Sequence, residues 1–554
     1  MRVQKIPSLM LMLATAGLAG CPGDTPPPAA SVSPVCANCA AVGPTRYAGK
    51  GVGVWAYANQ TDKPVALPIS IDGLPGNDVT LVFSNDGDKA QPMPPITVQP
   101  APAAPAAPAL PQAAENRVPK QTEPVPSRAD RIREFNARGW VEQLERLRAN
   151  QGKPPMAQNQ SASEAGAQQP SVIDARPGDQ RSWYNEDDEP PQVTTLRRQV
   201  TLRDGVILNV WVEDSEYGEA QVTDAMIEAL TTAYSRSGGT YDFLVDLGGP
   251  VWGAHKDAEL IPGDRQPINL VILRIADEDT AGYFLAGNAF VNVPGTETAR
   301  SNAAVVVFFN AQTLYPNKPG GLPAMVLTMA HESVHMQNFY RRGVTLGADY
   351  VFDTWLDEGS AIMMEDFASQ RLLTGYNEVR DSRLPSYLAA PHYGCNVTAW
   401  PKAADKCDGY AVWGAWGGFL NRQLGLPFYR NLLNDKANKT SPRVLEAAIR
   451  SVRPDSGTVP ELRRWAASVG ALIPAAQAPA RFAYPARADA GAPLPVIDLQ
   501  TQVADRKLPA KFDATLAGHA VAPVVRRHVK GTYRETVTVP PHTTVSVVIH
   551  DGKV

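Results

Sequence analysis

Histidine is scarce in this chain, with 8 residues in 554. Charge of one sign is not in excess either: 52 basic residues face 56 acidic ones, for a net charge of -4. No polybasic stripe occurs, so the electrostatic footprint of a nucleic-acid-binding protein is missing. Beyond the N-terminus no apolar run reaches the roughly 18 residues that a membrane-crossing helix needs. The chain has no G-x-S-x-G elbow and no P-loop, which disfavours a serine hydrolase and a nucleotide hydrolase. Cysteines number only 5, too scattered for a zinc knuckle. No internal repeat is detectable. What is present is 44% hydrophobic residues, enough for a sizeable core, and 50 prolines, strongly clustered.

The clusters and the N-terminus organise the chain. Arg2 and Lys5 precede an apolar stretch from Ile6 to Leu18 that is too short to cross a bilayer. Leu18-Ala19-Gly20-Cys21 has the form of a bacterial lipobox. The expectation is a lipoprotein signal peptide over 1–20 and a membrane anchor through lipid on Cys21. Pro22 follows that cysteine instead of Asp, which points to the outer membrane. Export makes the remaining four cysteines candidates for disulfides. Cys395 and Cys407 enclose a short loop-like stretch and read as a local staple; the Cys36-x-x-Cys39 pair lacks the strand–helix context of a redox motif.

After a Pro-rich tether (21–46), residues 47–98 alternate apolar and polar between Gly/Asn/Asp turns and predict a small β-module. A low-complexity linker follows over 99–190. It contains one helix, 128–150, whose alternating charges predict a solvated or weakly docked element. The main globular unit spans 191–475. It opens with strands turning at Asp204-Gly205, then an amphipathic helix over 221–236, apolar strands at 268–275 and 302–310, and helices from 322 to about 470. Residues 480–554 predict a separate C-terminal β-domain. The fold class is α+β, with a β-rich lobe carrying one central helix, a mostly helical second lobe, and small flanking β-domains.

One stretch concentrates the scarce residue. "TMAHESVHMQNF" (328–339) places His331 and His335 four apart in an apolar helix. Residues at i and i+4 share a helix face one turn apart, so both imidazoles can reach a single Zn²⁺ at about 2.0–2.1 Å. Glu332 is rotated by about 100° around the axis, beside the metal rather than on it, where it can take a proton from water. A third ligand is needed. Glu358, in "FDTWLDEGSAIMMEDF" (352–367), lies among large apolar residues, where a carboxylate is costly to bury unless paired or metal-bound. The alternative is an exposed acidic pair at a helix N-terminus, favoured by the macrodipole.

"AHESVH" followed by "WLDEGSA" resembles the gluzincin peptidases, and among them the hyicolysin family of zinc metallopeptidases. The similarity runs over roughly 195–450 and includes "AGYF" (281–284). It implies a zincin-like fold, with His331, His335 and Glu358 as zinc ligands and Glu332 as general base. It further implies peptide-bond hydrolysis in a protein or peptide substrate. Two residues compete to stabilise the oxyanion: Tyr410, whose helix resembles the tyrosine-then-glycine helix of aminopeptidase-like gluzincins with a different spacing, and His392 in "PHYGC". Asp357 and Glu365 are candidates to orient the histidines. The family implies an edge strand that pairs with substrate backbone, expected at Asn302–Asn310. A G-A-M-E-N-type sequence is missing, which favours an endopeptidase over an aminopeptidase. The rival reading is a surface adhesion or glycan-binding lipoprotein with a silent zinc fold. An intact Glu332 argues against it.

Overall fold

A computed structural model describes residues 30–96, 126–150, 171–185 and 190–554, apart from 319, 391, 403–404, 490 and 510–513. The expected signal peptide, Cys21 and much of the linker lie outside the described residues. Among the described residues no helix is long and apolar enough to cross a membrane.

In chain order, the elements used below begin with strands β1 (Gly53–Asn59) and β2 (Val65–Asn85). Next come helices α1 (Arg128–Glu134) and α2 (Trp140–Asn150), joined by one wide turn. The central unit contains β3 (Gln180–Trp183), β4 (Gln192–Thr201), β5 (Ile207–Glu213), α3 (Asp224–Ser235), α4 (Thr240–Gly248), β6 (Ile268–Leu273), β7 (Gly282–Phe284) and β8 (Val305–Asn310). The helical part comprises α5 (Gly321–Asn338), α6 (Thr354–Leu372), α7 (Leu384–Ala389), α8 (Gly409–Asn434), α9 (Ser441–Val452) and α10 (Thr458–Ala471). Strands β9 (Val521–Val539) and β10 (Thr543–Ile549) close the chain.

The β-rich lobe is one six-stranded sheet in the order β7-β8-β6-β5-β4-β3. β4 and β5 are antiparallel neighbours across the expected turn, where Gly205 takes a left-handed φ of 85°. β6 pairs in parallel with both β5 and β8. Parallel strands at a sheet centre are covered on both faces, which explains why "INLVIL" and "VVVFFN" are apolar without alternation and buried at every position. The same pairing corrects one expectation. Strand 305–310 is internal, and the edge of the sheet is the short β7, antiparallel to it.

α5 lies against this sheet and is buried along nearly its whole length. α6 packs on it, and α8 packs on α6, around a core that includes Trp355, Phe367, Trp413 and Trp416. Inside that core Arg422 and Asp366 are both fully buried and joined twice, at 2.8 and 3.2 Å. Asn377 and the Pro495 carbonyl take further guanidinium hydrogens. Removing one member leaves the other charge uncompensated, so Arg422→Ala is expected to cost about 3–5 kcal/mol. A denaturant-unfolding midpoint within error of the parent would refute this.

Two further expectations change. The strands assigned by sequence to separate modules belong to one seven-stranded sheet: β10 lies between β1 and β2, and β9 pairs with β2 along its length. Helix 128–150 is not weakly docked. Trp140 is 2% exposed and Leu144 5%, and the indole sits edge-on to Phe339 and so close to Gly343 that a Cβ there would lie 2.5 Å from it. Disulfides join Cys395 to Cys407 and Cys36 to Cys39.

Candidate metal centre

α5 presents His331 and His335 one turn apart, with ring centres 4.8 Å from each other. α6 returns across them and delivers Glu358, whose Oε2 is 3.3 Å from His331 Nε2 and 3.7 Å from His335 Nε2. All three side chains are buried, and their ligating atoms lie within 4.8 Å of one another. Glu358 Oε2 is buried and makes no hydrogen bond. A buried carboxylate oxygen without a partner is costly. Here it converges with two imidazole nitrogens, a donor set that suits Zn²⁺.

The outer nitrogens explain how the rings are aimed. His331 Nδ1 lies 2.7 Å from Glu365 Oε1, and His335 Nδ1 lies 2.7 Å from Asp357 Oδ2. With each Nδ1–H donated to a carboxylate, each Nε2 lone pair faces Glu358. The carboxylates are themselves held. Asn338 Nδ2 donates to Asp357 at 2.7 Å, and Arg383 donates to Glu365 at 2.8 and 3.2 Å. Asp357→Asn and Glu365→Gln are each expected to weaken metal binding about 10–100-fold with the fold intact. Chelator competition measures this, and unchanged affinity would remove the orienting role.

Charge in the site is concentrated and negative. Burial works against protonated histidine, but Glu358 and Glu365 outweigh it and raise the His331 pKa well above its ordinary value. Burial likewise opposes the charged form of His335, which Asp357 and Glu358 nevertheless lift to about 9. The carboxylates around the two imidazoles favour positive charge at this point, which a bound cation would supply in place of protons. Glu358 and Glu365 stay below the usual carboxylate range: burial raises them, yet the histidines, and for Glu365 Arg383, prevail.

Glu332 stands beside this group, and its Oε2 accepts a 2.8 Å hydrogen bond from the Phe284 N–H of edge strand β7. Burial raises its pKa, and the histidine charges and that N–H only partly offset the effect. Such a carboxylate accepts a proton more readily than a solvated one. It lines a cavity of about 490 Å³ together with His331, His335, Glu358 and Tyr410.

Tyr410 enters this cavity from the first turn of α8, which Asp408 caps by accepting the N–H groups of Tyr410 and Ala411. Its ring centre is 6.1 Å from that of His331. Burial first, then the Glu358 charge, raises the phenol pKa, so the hydroxyl stays a donor. His392 does not line the cavity. It is buried, its Nδ1 accepting the Asp408 N–H at 3.4 Å. The structure thus brings together His331, Glu332, His335, Glu358 and Tyr410, with Asp357 and Glu365 behind them.

Sequence reasoning missed Arg383, the Phe284 amide, Arg133 of α1, whose Nη1 lies 3.9 Å from Glu358 Oε1, and Asn136 of the following turn, which lines the same cavity. Each acts across a long sequence separation. None carries a local motif.

The sequence profile of the Peptidase M30 family matches residues 188–550. A domain of unknown function (DUF8571) matches residues 34–98. A search of curated proteins finds no match. The M30 match takes in most of the chain, including both motif helices, β7 and Tyr410; the chain belongs to the Peptidase M30 family.

Proposed function

We propose that this peptidase is an exported, zinc-dependent endopeptidase of the gluzincin type. One observation carries the reading: an unpartnered buried Glu358 oxygen faces the inner nitrogens of His331 and His335, with the Glu332 carboxylate alongside. A bound Zn²⁺ would supply Lewis acidity to the scissile carbonyl and lower the pKa of water. His331, His335 and Glu358 would hold it, and Asp357 and Glu365 keep the imidazoles in the required tautomer.

Glu332 takes the proton of the attacking water and passes it to the departing amine. Tyr410 donates its hydroxyl proton in a hydrogen bond to the oxyanion that forms on the carbonyl. β7 offers backbone groups at a sheet edge against which an extended peptide can align. An endopeptidase is favoured because the chain lacks a G-A-M-E-N-type sequence for gripping a free amino terminus. Export and outer-membrane anchoring rest on the N-terminal sequence, Met1 to Cys21.

Casein digestion by the purified protein, with and without a chelator, tests the reading. The expected result is cleavage that the chelator abolishes and added Zn²⁺ restores. A protein that holds zinc yet cleaves nothing across a broad peptide library would instead be the adhesion or glycan-binding protein.

A further inference from the structure

The edge of β7 is already occupied. The side-chain amide of Asn136, in the turn between α1 and α2, donates to the Phe284 carbonyl at 2.7 Å and accepts from the Ala286 N–H at 2.8 Å. One carboxamide thus donates to the last carbonyl of β7 and accepts from the first N–H of the short turn that follows it, Ala286–Ala289. The same segment reaches the metal-binding group, with Arg133 Nη1 lying 3.9 Å from Glu358 Oε1. Arg128 stacks over the Tyr283 ring, 4.6 Å from its centre. Arg133, Asn136, Ala129 and Ile132 line the 490 Å³ cavity together with the α5 histidines. A substrate backbone cannot pair with Phe284 and Ala286 while Asn136 does.

Two observations outside the cleft mark this segment as an addition rather than part of the catalytic unit. It lies wholly before residue 188, where the family match begins. Its flanks, 99–114 and 151–170, are low-complexity in sequence and lie outside the described residues. Its most deeply buried apolar side chains are Trp140 and Leu144.

We infer that residues 126–150 are a built-in inhibitor that occupies the substrate-pairing edge of β7, so that full activity requires the segment to be displaced. The inference rests on the peptidase reading above. Its occupant is the chain itself; the ligand class displaced is an extended polypeptide.

The test uses the full chain with a specific protease site placed in each flank, within 99–114 and within 151–170. Casein and a short fluorogenic peptide are assayed before and after cutting. Cutting is expected to raise kcat/KM for casein about tenfold or more, and added synthetic peptide 126–150 should reverse the gain competitively, with an Asn136→Ala version of that peptide markedly weaker, since two hydrogen bonds are lost. Asn136→Ala in the uncut chain keeps the Trp140 anchor and should also raise kcat/KM for casein, chiefly by lowering KM. If cutting and Asn136→Ala both leave activity unchanged, or lower it together with the melting temperature, the segment is a structural wall and the inference fails alone. If no substrate is cleaved in any form, it falls together with the peptidase reading.

Discussion

Glu332→Gln is expected to lower kcat for peptide hydrolysis about 10²–10⁴-fold while leaving metal content and melting temperature close to those of the parent. The amide keeps the shape of the carboxylate, and its oxygen still accepts the Phe284 N–H that ties α5 to β7. What it loses is the ability to take a proton from water. The buried setting that raises the Glu332 pKa matters because the proton must be accepted and then released within one turnover. Steady-state kinetics on a fluorogenic peptide, with metal analysis of the same sample, measures this. A variant that keeps more than a tenth of the parent rate would show that some other group is the base.

Glu358→Ala should have the second large effect, at an earlier stage. Without the carboxylate only two imidazoles remain, and loss of a ligand should weaken binding by more than the roughly 10–100-fold typical of an orienting residue. Ligand binding stabilises a fold by mass action, about 4 kcal/mol at a thousandfold excess over Kd. Added Zn²⁺ should therefore raise the melting temperature of the parent and leave that of Glu358→Ala nearly unmoved. Equal shifts in the two proteins would place the metal elsewhere. The two substitutions are expected to separate binding from chemistry: Glu358→Ala should weaken metal binding, and Glu332→Gln should spare it while slowing hydrolysis.

Much of this centre was legible in the sequence because its geometry is local. The i, i+4 spacing of His331 and His335 is a property of any helix, and Glu358 announced itself as a carboxylate among Trp355, Leu356 and Ile362. Even Asp357 and Glu365 follow from one further helix: they flank Glu358 by one residue and by two turns, and each meets one imidazole. The edge strand was misplaced for a physical reason. "VVVFFN" has the stronger β signal, but that strength reflects burial at the sheet centre, whereas the true edge, Gly282–Phe284, is short and carries a glycine. The chain's outer strands were split into two modules because pairing between β2 and β9 joins residues more than four hundred apart, which no local pattern records. Helix 128–150 looked solvated because its charges alternate. Those charges include Arg128, which stacks on Tyr283 and donates to Asn185, and Arg133, which pairs with Asp130 and lies 3.9 Å from Glu358.

Crystals of the purified protein, measured at the zinc absorption edge, give the most direct view of the ion on which all of this turns. A single anomalous peak about 2.0–2.2 Å from His331 Nε2, His335 Nε2 and a Glu358 oxygen is the expected result. A fully metallated sample with no peak between α5 and α6 would contradict it.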